Sequence, residues 1–135
     1  MALIAWSNQL AVGIEEIDAQ HQKLVQLINA LHEHMLAGDA ADIMGKVLDR
    51  VVEYTGFHFS TEERLMAEYG YPQSASHKIE HAKLVHTALD LQAKVHSGHA
   101  HVTMETMKFL RNWLQHHIMQ SDQSFGKFLQ SRNLT

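Results

Sequence analysis

The 135-residue chain has no cysteine, which excludes disulfides, thiolate nucleophiles and iron–sulfur ligation. Any metal it holds must sit among nitrogen and oxygen donors. A single proline and seven glycines leave little to interrupt long helices. No apolar run approaches the roughly 20 residues of a membrane span. The first ten residues have no basic region and too short an apolar stretch for a signal peptide. Basic runs and basic–aromatic interleaving are missing too, and the formal net charge is −4. The expectation is one cytoplasmic domain over residues 1–135, without a nucleic-acid partner or membrane insertion.

What the chain does have is histidine, twelve in all, within a composition that is 45% apolar. Residues 1–17 read as a non-helical arm that can lay Trp6, Leu10, Val12, Ile14 and Ile17 on a core. Asp18 is the expected N-cap of a first helix, whose stripe is His21, Leu24, Ile28, Leu31 and Met35 at steps of three and four. Gly38-Asp39 breaks that pattern. A second helix over roughly 41–68 carries Val47, Val51, Tyr54, His58, Glu62 and Leu65 on one face and stops at Gly70-Tyr71-Pro72. Ser74 or Ser76 is expected to cap a third, striped by His77, His81, Leu84, Ala88, Leu91 and Val95. After a loop at 97–101, a fourth shows Met107, Leu110, Leu114, His117 and Ser121. Phe125, Phe128 and Leu129 predict a final turn or short helix. Four amphipathic helices with short links predict an all-α, antiparallel, up-down-up-down bundle with an N-terminal arm.

Each of those buried stripes carries groups that water would otherwise solvate: His21; His58 and Glu62; His77 and His81; His117 and Asp122. An unpaired buried polar group costs about 1–3 kcal/mol, so seven converging on one core need a common partner. Two metal ions are the most economical one. His58/Glu62 and His77/His81 are i,i+4 pairs, which puts both members on one helix face about 5–6 Å apart at Cβ. His117 and Asp122 are five apart and diverge on a regular α-helix. A π-turn would bring them together, so a distortion is expected within 117–122. The remaining histidines read as non-ligands: His32, His34, His86 and His116 lie off the stripes or at poor angles, and His96, His99 and His101 sit around a loop. Glu63, next to a candidate ligand, reads as surface.

The run His58-Phe59-Ser60-Thr61-Glu62-Glu63, then Gly70-Tyr71-Pro72, His77-x3-His81 and Trp113-Leu114-x2-His117-Ile118-x3-Asp122-x3-Gly126, preceded by Asp18-x2-His21, resembles the hemerythrins, nearest to single-domain bacteriohemerythrins. The resemblance implies two iron ions: one on His77, His81 and His117, the other on His21 and His58. Glu62 and Asp122 would bridge them with an oxo or hydroxo group, leaving one iron a place for dioxygen. Two residues depart from the family pattern: Phe125, where an aromatic hydroxyl is common, and Leu84, where phenylalanine is.

The expected function is reversible dioxygen binding for transport, storage or delivery by a monomer that is not an enzyme, with an oxygen-consuming enzyme as recipient. Carboxylate-rich di-iron bundles use four glutamates and two histidines. Two carboxylates among five neutral imidazoles donate less negative charge, which favours holding dioxygen over cleaving it. Leu24, Phe59, Trp113, Leu114, Ile118 and Met119 are the expected apolar pocket around it. A module sensing oxygen, nitric oxide or iron, and a peroxidase-type di-iron enzyme, are the alternatives. The donor set alone would also accept zinc, manganese or copper, so iron comes from the resemblance.

Overall fold

A computed structural model describes residues 2–135. Helix α1 spans Glu15–Leu36, α2 Ala41–Tyr69, α3 Ser74–His96 and α4 Met104–His117. A π-helical segment, Ile118–Asp122, continues α4 into α5, Gln123–Ser131. No strand occurs among the described residues. The four long helices form the expected bundle, and the bonds between them run antiparallel. Gln20 meets Thr61 and Glu16 meets Arg64 across α1 and α2, while Asp49 meets His96 and Glu63 meets His81 across α2 and α3.

The helix ends follow from local chemistry, not always as the sequence suggests. Glu15, Glu16 and Asp18 all lie in the first turn of α1, where carboxylates oppose the positive end of the helix dipole. Asp18 is not the N-cap, which falls to Ile14. Its carboxylate instead accepts the N–H groups of Val12 (2.7 Å) and Gly13 (3.2 Å), pinning the arm where it enters the helix. Neither Ser74 nor Ser76 caps α3: Gln73 holds that position, and the Ser76 hydroxyl donates back to its carbonyl. At the end of α2, Gly70 takes φ 67°, a left-handed conformation cheap only for glycine. This lets the Tyr71 N–H return to the Met66 carbonyl at 2.9 Å.

The arm closes one end of the bundle. Ile4, Leu10, Val12 and Ile14 are buried, and Trp6 packs half-buried against the core. Asn29 exchanges two 2.9 Å hydrogen bonds with the backbone of Ile4. At the other crossing, a Cβ on Gly126 would lie 2.5 Å from the Val12 carbonyl oxygen, so glycine is what lets α5 and the arm touch. Phe125 and Leu129 of α5 are fully buried beneath it.

Candidate metal centre

All seven candidate ligands meet in the core, and none is more than 3% exposed. His21 comes from α1, His58 and Glu62 from α2, His77 and His81 from α3, His117 from the last turn of α4, and Asp122 from the end of the π segment. The expected distortion lies where the spacing required it: the π segment puts Asp122 Oδ1 3.2 Å from His117 Nε2, five residues back.

Two overlapping groups result. Donor atoms of Glu62, His77, His81, His117 and Asp122 all lie within 4.8 Å of one another, as do those of His21, His58, Glu62 and Asp122. Several pairs are close: His21 Nε2 to Asp122 Oδ2 is 2.9 Å, and His81 Nε2 to Glu62 Oε1 is 3.0 Å. Apart from His81 Nε2 and His117 Nε2, 3.2 Å apart, proximity is not hydrogen bonding here. The Nε2 atoms of His21, His58 and His77, and all four carboxylate oxygens of Glu62 and Asp122, have no partner in bonding geometry. These atoms crowd together without pairing, which is an arrangement that cations satisfy. Neutral imidazole and carboxylate donors suit divalent first-row metals, so the residues fit a two-metal centre.

Without metal, protons must balance the cluster. Burial drives the Glu62 and Asp122 carboxyls up, but the surrounding histidines outweigh it and hold both below the usual carboxylate range. Burial likewise works against a charged His77, yet Asp122 and Glu62 overcome it and raise the imidazole to about 9. His117 is raised for the same reason.

Comparison with known proteins gives the family. The profile of the Hemerythrin HHE cation binding domain matches residues 12–129. The chain belongs to the hemerythrin family. It is 38% identical to a bacteriohemerythrin of Methylococcus capsulatus, over 96% of this chain and 98% of that one. A bacteriohemerythrin of Stenotrophomonas maltophilia is 36% identical, over 93% and 81% respectively. A crystal structure of wild-type hemerythrin superposes with a TM-score of 0.90 at 37% identity, covering 95% of this chain and 98% of the other.

On one side of the ligand cluster lies an apolar cleft of about 480 Å³, reaching between α3 and α4 towards the 97–103 loop. Leu24, Phe59, Trp113 and Leu114 line it. Phe59 stacks on the His81 ring at 3.8 Å, and Trp113 on His117 at 4.5 Å. Ile118 is fully buried but belongs to the core, not to the cleft wall. Met119 does not belong to the pocket. It is 46% exposed, because two residues beyond His117 a helix has turned about 200° to the opposite side.

Three site residues escaped the sequence reading. Glu63, expected at the surface, accepts from His81 Nδ1 at 3.0 Å. Glu80 accepts from His117 Nδ1 at 2.8 Å and from the Ser121 hydroxyl at 2.7 Å. Buried Gln20 accepts from His58 Nδ1 at 2.7 Å. Gln20, Glu63 and Glu80 each adjoin a ligand of their own helix but serve a ligand of the next. That adjacency is the signal the sequence held. Each contact takes up the Nδ1 side of the ring and turns Nε2 towards the centre, where those of His81 and His117 lie 3.2 Å apart. Among the other histidines, His34 and His96 pair with Asp39 and Asp49 at the surface. His32, expected off the stripe, is buried, with no partner for Nδ1.

Proposed function

We propose that this chain is a non-heme di-iron protein that binds dioxygen reversibly, for transport, storage or delivery, and does not turn it over. The observation that carries the reading is the inequality of the two ligand groups. Five protein groups surround one point and four the other, with Glu62 and Asp122 common to both. His77, His81 and His117 would hold one iron and His21 and His58 the other, with an oxo or hydroxo group completing the bridge. When bound, the iron pair supplies the electrons with which dioxygen is taken up, and the side with fewer protein donors supplies the place for it.

The chain's own residues favour binding without turnover. Leu24, Phe59 and Leu114 are buried and keep water from the ligand end of the cleft. Thr55, the hydroxyl in that buried wall, donates to the Val51 carbonyl at 2.6 Å and has no proton to offer. A ligand end walled by apolar side chains, its buried hydroxyl already committed, resists losing dioxygen in reduced form. The reading includes a monomer in the cytoplasm that supplies an oxygen-consuming enzyme; gel filtration and cell fractionation test the first two parts. No helix among the described residues is long and apolar enough to cross a membrane.

The test is the optical spectrum of the reduced, iron-loaded protein. Exposure to oxygen should raise a charge-transfer band that disappears on purging and returns on re-exposure. A change that purging cannot reverse, with accumulation of a product, would favour a di-iron enzyme.

A further inference from the structure

The outer hydrogen bonds of the ligand histidines are unequal. In the three-histidine group, His81 Nδ1 faces the Glu63 carboxylate and His117 Nδ1 faces the Glu80 carboxylate. Both partners are carboxylates, and Glu80 is held a second time by Ser121. In the two-histidine group, the partner of His58 is a neutral amide, and His21 Nδ1 has no partner at all. The pattern runs α1 to α2, α2 to α3, α3 to α4, and does not close back onto α1.

The Gln20 amide is oriented by its surroundings. The Thr61 hydroxyl donates to the Phe57 carbonyl at 3.2 Å, so its oxygen is left to accept the Gln20 NH2, also at 3.2 Å. That turns Gln20 Oε1 towards His58 and fixes which atom receives the imidazole proton. A carboxylate accepting the Nδ1 proton pushes electron density into the ring and makes Nε2 a stronger donor, and an amide does so less. The group with more protein ligands therefore also has the two imidazoles backed by carboxylates, His81 and His117.

We propose that the two halves of the centre hold metal in a fixed order of strength, and that Gln20, Glu63 and Glu80 are the positioning residues that set the gap. The His77/His81/His117 half binds first and releases last. The His21/His58 half is the weak one, kept so by a neutral partner at position 20. This rests on the two-metal reading above but not on dioxygen binding.

The experiment uses the full chain loaded with two equivalents of cobalt(II), challenged with increasing chelator and followed by metal release and by the cobalt absorption spectrum. The wild-type chain should give up one ion well before the other. Gln20→Glu should move only the early step, to at least tenfold higher chelator. Gln20→Met, which tolerates burial and removes the acceptor, should move the same step roughly 10–100-fold lower. Glu80→Gln keeps an acceptor without the charge and should weaken only the late step, by about tenfold or more. Simultaneous release of both ions from the wild type, or Gln20 variants that shift both steps alike, would overturn the order. A chain that never holds two ions contradicts the two-metal reading itself.

Discussion

At the scale of single residues, histidines that look alike in composition have opposite consequences when removed. His81→Ala takes a donor from the larger ligand group and the base from the Phe59 stack. It should cost the protein an iron equivalent, read by elemental analysis. His101→Ala, at the exposed rim of the cleft, should leave two irons bound. The distinction was legible beforehand because helical periodicity sorts residues by face: six of the candidates fall on buried stripes, and the seventh, Asp122, needs the π segment to join them. The outer partners were not legible in that way. Glu63 and Glu80 keep part of their carboxylates in water, so periodicity assigns them to the surface. What they bond to lies on another helix, 18 and 37 residues away. Gln20 is buried, but only the tertiary fold reveals that it serves His58, not its neighbour His21.

At the scale of elements, the π segment is an inserted residue that the helix absorbs. Deleting exposed Gln120 should restore regular bonding and put the aspartate at i+4 from His117, still on the same face. Two-metal binding should therefore survive the deletion, with the far-UV signal unchanged; complete loss of one metal would contradict this. Gly126 is less forgiving. A methyl there meets the Val12 carbonyl oxygen, which is backbone and cannot rotate away. Gly126→Ala should destabilise the folded protein by about 1–3 kcal/mol, measured by denaturant unfolding of the metal-loaded form. The helices themselves were readable to within a few residues, since their stripes are long and their breaks marked by glycine and proline. The caps were less so, because Asp18, Ser74 and Ser76 had other donors and acceptors within reach once the arm and loops were folded.

At the scale of the whole molecule, the centre joins stability to both metal and pH. Ions that bind only the folded chain stabilise it by mass action, about 2.7 kcal/mol for one site at a free concentration of 100 Kd. Chelation should lower the melting temperature accordingly. The pH dependence of the two forms should have opposite signs. In the metal-free protein His77 is raised to about 9 from its ordinary 6.5, so its contribution is complete below pH 6.5 and lost as pH rises through 9. Glu62 and Asp122 are held below their ordinary 4.5 and 3.8, so their contribution is present above those values and lost as pH falls through their lowered ones. Metal-free stability should therefore be greatest between about pH 4.5 and 6.5, and melting scans should fall from there to pH 9. Metal affinity should climb over that same upper range, because the ions must displace the protons that His77 and His117 hold.

The central claim is that this bundle gathers two irons to hold one dioxygen and give it back. Oxygen stoichiometry on the reduced, iron-loaded chain tests it most directly. The account predicts uptake of one dioxygen per two irons, with nearly all of it recovered on purging. Oxygen consumed and not recovered, or uptake by one iron at a time, would contradict it.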